Sequence, residues 1–99
     1  VLVAQGNLAE ALKSFRASHD IFGRLAQADP GNAGWQRDLS VSHGRLASMF
    51  RRLGENVKAL DALRKGRAIM VRTTSLSPDN AEWKSDLAWF DGQIAELAR

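Results

Sequence analysis

The sequence predicts an all-α chain in which antiparallel helix pairs stack as an open array, and three observations carry that expectation. The first is an internal repeat. At an offset of 48 residues, Gly6 falls on Gly54, Ala11-Leu12 on Ala59-Leu60, Arg16 on Arg64 and Ile21 on Ile69. The match sharpens where Pro30-x-Asn32-Ala33-x-Trp35-x-x-Asp38-Leu39 falls on Pro78-x-Asn80-Ala81-x-Trp83-x-x-Asp86-Leu87. A fixed period in the range of about 20–50 residues marks a solenoid or array. The second observation is apolar spacing of three and four, with no stretch alternating at the period of two that a half-buried strand requires. The third is the brevity of the polar breaks, which makes successive helices antiparallel neighbours. Four long helices with heptad-like steps also fit a closed four-helix bundle, the alternative. The repeat favours the open stack, because each pair buries its face on the next.

Residues 1–5 read as the end of a preceding helix, closed by Gly6. A first full helix is expected near 7–28, with Leu8, Leu12, Phe15, Phe22 and Leu25 on its apolar side. Pro30-Gly31-Asn32 then breaks the chain and supplies an N-cap for a helix near 33–52. Its stripe is Trp35, Leu39, Leu46, Phe50 and Leu53, with a polar gap at Ser42-His43. Gly54 suits the left-handed conformation of a helix end. It separates this helix from one near 55–75 carrying Leu60, Leu63 and Met70. Ser77-Pro78-Asp79-Asn80 opens the last helix, near 80–98, where Asp79 and Glu82 have the spacing of a capping box. Its stripe, Trp83, Leu87, Phe90, Ile94 and Leu97, is the cleanest of the four. The 1–99 chain is thus a single repeat segment: after residues 1–5, a first period over 6–53 and a truncated second period over 54–99.

Composition excludes several classes of function. The absence of cysteine removes disulfides, a thiol nucleophile and a cysteine-based zinc site. With 44% hydrophobic and 25% charged residues, the chain has ordinary globular proportions. No apolar run approaches the ~20 residues of a membrane span, and no signal-peptide pattern opens the chain, so a cytoplasmic location is expected. The first residue is Val and not Met, which reads as a piece of a longer protein. His19 and His43 each lack a second His or Cys one helical turn away, so no metal is expected. No serine lies in a Gly-x-Ser-x-Gly elbow, and the glycines form no nucleotide-binding pattern. The expectation is a non-enzymatic chain without a cofactor.

Residues 46–69 carry a family resemblance. Leu46-Ala47-x-Met49-Phe50-x-x-x-Gly54-Glu55-x-x-x-Ala59-Leu60-x-x-Leu63 resembles the tetratricopeptide repeat (TPR). Gly6-Asn7-Leu8-x-Glu10-Ala11-Leu12-x-x-Phe15 resembles it more closely, and Ile94-Ala95-x-Leu97-Ala98 begins a third copy. The family repeats at 34 residues, whereas this chain repeats at 48. The extra length lies in the Trp-x-x-Asp-Leu extension of one helix and the greater length of the other, as in long-helix arrays of large bacterial proteins. The resemblance implies an α-solenoid segment acting as a protein–protein interaction scaffold. It also implies that the first helix of each pair lines a groove for a peptide or partner domain.

By that resemblance Ser48, Arg51 and Arg52 face the groove, followed by Glu96 and Arg99, with Arg51 and Arg52 the expected contacts to an acidic partner. Some relatives clamp a peptide carboxylate there with Lys and Asn. This chain has Gly44 and Ser48 at those places, so that specificity does not carry over. Trp35, Leu39, Trp83, Leu87, Phe15 and Leu63 are the expected structural core. Asp38 and Asp86 are expected in the first turns of their helices, where a carboxylate suits the dipole.

Charge is uneven: 45–72 carries net +6 and 73–99 net −3. Lys58, Lys65 and Arg72 form a basic stripe, either a solvated face partly neutralised by Asp86, Asp91 and Glu96 or an anion or nucleic-acid surface. Two functional alternatives to the scaffold therefore stand: a structural spacer without its own ligand, and this basic binding surface. Nucleic acid is the weaker partner, because no aromatic residue interleaves with the stripe, and no membrane partner is expected. A solenoid segment also exposes apolar edges, here Val1, Leu2 and Val3 at one end and Ile94 and Leu97 at the other. Self-association through these repeat ends is the expectation that follows.

Overall fold

The computed structural model describes residues 2–98, with side chains described from Asn7 to Ala98. Val1, Arg99 and the Leu2 and Val3 side chains, named above, lie outside the described residues. Four helices account for nearly all of the rest: α1 (Leu2–Ala28), α2 (Ala33–Arg52), α3 (Asn56–Leu76) and α4 (Ala81–Leu97). No strand occurs among the described residues. The all-α expectation is met, and the helix bounds fall within a few residues of those read from the sequence.

Local chemistry explains the breaks. Asn32 Oδ1 accepts the Trp35 backbone N–H at 3.0 Å, and Asn80 Oδ1 accepts that of Trp83 at 3.0 Å. Both asparagines are therefore N-caps, and each satisfies a donor that the first turn would leave orphaned. Asn80 takes the role offered to Asp79, so the Asp79–Glu82 capping box does not form. Gly54 adopts φ 77°, the described glycine in the left-handed region. Around it Glu55 N–H donates to Phe50 O at 2.8 Å and Gly54 N–H to Arg51 O at 3.1 Å, the paired closure of a Schellman motif.

Gly6 behaves differently from its repeat mate. The backbone of α1 runs through it without a break from Leu2, so no separate preceding helix ends at residue 5. An interior glycine costs a helix only about 1 kcal/mol. A break pays off when a packed neighbour lies beyond the turn, and none precedes Gly6 among the described residues.

Packing follows chain order. The helix pairs that pack along their lengths are α1 on α2, α2 on α3 and α3 on α4. Helix α4 does not pack along α1, as closure into a bundle would require. The result is a slab of 44 × 32 × 19 Å, about two helix diameters thick. Its core has two centres. In one, Phe90, Leu63, Met70, Ala47 and Ala62 are buried, with Trp83, Leu87, Ile94 and Leu97 packed against them. In the other, Leu46, Phe50 and Ala59 are joined by Leu12, Phe15 and again Leu97. Of the expected core residues, Leu63 is buried, while Trp83, Leu87 and Phe15 are half-buried against these centres. Trp35 and Leu39 are half-buried outside both. Ile94 and Leu97 pack against the core, so they are not the exposed edge expected of them.

The α2–α3 contact is the tightest. Ser40, fully buried, donates from Oγ to Gly66 O at 2.8 Å. A Cβ built on Gly66 would stand 2.5 Å from the Phe90 ring and 3.2 Å from His43 Cβ. Glycine at this position is therefore a requirement of close approach among three helices.

Candidate interaction groove between α2 and α4

Helices α2 and α4 run parallel, one repeat apart, and their side chains meet in three rungs. At the first, Arg37 donates from Nε to Asp86 Oδ2 at 2.9 Å, and its Nη2 lies 2.9 Å from Glu82 Oε1. The hydrogen bond to Asp86, aided by the surrounding carboxylates, raises the Arg37 pKa and keeps the guanidinium charged. In the middle, the Trp89 ring lies over Gly44, where an added Cβ would be 3.1 Å from the indole. At the third, Arg51 donates to Gln93 Oε1 at 2.9 Å and to Glu96 Oε1 at 2.5 Å.

Between the first and third rungs lies a cleft of about 310 Å³, lined by Arg37, Val41, Arg45, Ser48, Asp86 and Trp89, with Gly44 and Phe90 at its floor. Trp89 is 43% exposed and packs edge-on against Phe90, with ring centroids 5.1 Å apart. Its indole thus offers an apolar face fixed by an aromatic neighbour. Positions 41, 45, 48 and 52 follow helical spacing and so share one row of α2. Arg45 and Arg52 are exposed on that row.

The expected groove residues divide accordingly. Ser48 lines the cleft and donates from Oγ to Gly44 O at 3.2 Å. Arg52 is exposed on the same row. Arg51 and Glu96 are brought together, but they bind each other, so Arg51 is not the free cation expected there. Arg99 lies outside the described residues. Arg45 and Trp89 were missed. Arg45 follows from the seven-residue step to Arg52. The signal for Trp89 is an aromatic one position off the α4 stripe, which the helix must turn away from its own core.

The basic stripe is largely satisfied by its own helix. Lys65 Nζ is 3.0 Å from Asp61 Oδ2 and Lys58 Nζ 3.6 Å from Glu55 Oε2. Lys58 also stands 5.9 Å from the Phe50 ring centre. Arg72 is exposed beside Leu76. Of the acids expected to neutralise the basic segment, Asp91 pairs with Arg67 and Glu96 with Arg51, while Asp86 binds Arg37. Asp38 and Asp86 fall in the second turn of their helices, beyond the first-turn dipole position, and Asp86 acts through Arg37.

The two histidines meet between α1 and α2. Their ring centroids are 4.3 Å apart and nearly perpendicular, and His19 Nδ1 lies 2.5 Å from Ser42 Oγ. Ser42 Oγ donates its proton to Leu39 O at 2.9 Å, which assigns the proton of this contact to His19 Nδ1. Burial lowers the pKa of both; His43 falls to about 4, pushed further by His19 and Lys65 and opposed by Asp61. Among the described residues no three His, Cys, Asp or Glu side chains converge as metal ligands would.

No family model matches the chain, and no curated protein or solved structure matches it significantly.

Proposed function

We propose that this chain is a non-catalytic, TPR-like scaffold segment that binds an acidic peptide or partner domain along the α2–α4 groove. The observation that carries the reading is Trp89 held exposed over Gly44, on a row edged by Arg45 and Arg52. An exposed, braced indole offers contact area at little entropic cost, and flanking arginines select carboxylates. The 48-residue repeat and the sequence match over 46–69 support the TPR-like assignment, and by that likeness a bacterial, cytoplasmic parent. No described helix is long and apolar enough to cross a membrane.

The test is selection of peptides from a random library on the intact chain, followed by titration of the enriched sequences. Enrichment of acidic sequences that bind wild type and lose at least ~10-fold in affinity with Trp89→Ala, or with Arg45→Glu plus Arg52→Glu, supports the groove. Equal binding by these variants would falsify it. A spacer role is the second reading, favoured by the internal neutralisation of Arg37, Arg51, Lys58 and Lys65; failure to enrich any peptide would select it.

A further inference from the structure

The 48-residue offset also states what covers each helix face. Helix α3 is flanked on both sides, and its α2-facing side is buried: Ala59, Ala62, Leu63, Gly66 and Met70. The same positions of α1 are Ala11, Ser14, Phe15, Ser18 and Phe22, and Ser14 and Ser18 are exposed where Ala62 and Gly66 are buried. The contrast extends to the next rung, where Ile69 is 6% exposed and its mate Ile21 is 55% exposed. Helix α4 shows the reciprocal pattern. Ser40, Gly44 and Ala47 of α2 are buried, and their mates Ala88, Gly92 and Ala95 on α4 are exposed. A Cβ on Gly92 would meet nothing within 4 Å, whereas one on Gly44 would press on Trp89 of α4, the helix one repeat further on.

We propose that a second copy of this chain docks head to tail, seating its α1 on α4 of the first and repeating the α2–α3 contact. Among the described residues, α1 and α4 expose positions whose mates on α3 and α2 are buried. The established contact sets Leu63 and Met70 of α3 against the small Ala47 of α2, and Ser40 against Gly66. In the new contact Phe15, Ile21 and Phe22 supply the bulk, and Ala88 and Ala95 leave room for it. The charges also complement each other. His43 stands near Asp61 across α2–α3, and the mates of these two residues are Asp91 and Lys13. An aspartate of one copy therefore meets a lysine of the next. The contact joins two different faces, so it adds copies without closing a pair, and it lengthens the α2–α4 groove without depending on what that groove binds.

Light scattering of the chain across a wide concentration range, with two surface variants, tests the geometry. Ile21→Glu spoils the α1 face and Ala95→Glu the α4 face; both positions are exposed, and circular dichroism confirms that the helices persist. Wild type should grow past two copies as concentration rises, and each variant alone should remain a monomer. An equimolar mixture of the two should form a dimer and stop there, because one partner keeps an intact α1 face and the other an intact α4 face. A wild type that stays monomeric overturns the proposal. So does a mixture that stays monomeric, or an Ala95→Glu variant that dimerises alone, which would mean an α1-to-α1 contact.

Discussion

The two hairpins of this chain, α1/α2 and α3/α4, share a backbone plan and a sequence pattern, yet the same rung is built from different chemistry. Where α3 and α4 face each other, Arg67 bonds to Asp91. At the identical positions of the first hairpin stand His19 and His43, stacked edge to face. One residue earlier on each helix, the second hairpin sets Phe90 against Gly66, and the matching positions of the first hairpin are Ser42 and Ser18. The swaps are compensated within each hairpin. A large ring demands a glycine opposite, and a small serine tolerates a Cβ; an exposed rung carries charge, and a half-buried one carries neutral rings. A repeat therefore constrains rungs as pairs.

The sharpest way to break the comparison is at Phe90, the largest of the fully buried side chains. Phe90→Ala should cost about 3–5 kcal/mol, read by urea unfolding, while Ser42→Ala should cost far less. Next comes Gly66→Ala. Helix propensity returns about 1 kcal/mol, but overpacking against the ring costs about 1–3 kcal/mol, so a net loss is expected. In the Phe90→Ala background the same change should turn neutral or stabilising. Persistence of the loss there would show that the strain is not with the ring.

The histidine rung should make the first hairpin acid-sensitive. Both imidazoles titrate below their ordinary value in the folded chain, His43 at about 4. A depressed pKa contributes stability that is complete above the unfolded value, near 6.5, and is lost as pH falls toward about 4. The facing charges are Lys65 and Asp61 on α3 and Asp20 on α1; Lys65 deepens the effect, and the two carboxylates soften it. Stability against thermal unfolding should therefore fall from pH 7 to 4. His19→Arg with His43→Asp, which transplants the second hairpin's rung, should flatten that profile. An unchanged slope would place the acid sensitivity elsewhere. The smallest effect belongs to the ion pair itself. Arg67→Ala should cost about 0.2–1 kcal/mol and less at high salt, because both partners are largely exposed.

What could be read from the sequence follows from how local each feature is. Asn32, Asn80 and Gly54 act on backbone atoms within five residues, so their roles were legible. Gly6 was misread because the residue type only permits a left-handed turn, and the decision rests on whether a packed neighbour makes the turn worthwhile. The α2–α4 rungs were harder. Arg51 reaches Gln93 and Glu96 across 42 and 45 positions, and that meeting depends on how α4 lies along α2. Composition marked Arg51 as a cation but not as a satisfied one. Trp89 was overlooked because the apolar stripe explains Phe90 beside it.

Packing in strict chain order has a kinetic consequence. Each helix packs along its length on its successor, so most loops to be closed during folding are about one hairpin long, and contact order is low. Folding should then be fast for a chain of this size, on the microsecond-to-millisecond scale. The same order sets where the fold opens. Helices α2 and α3 are flanked along their lengths on both sides, whereas among the described residues α1 packs along its length only on α2. Amide hydrogens should exchange first along α1 and last through the middle of α2 and α3, around Ser40 and Gly66.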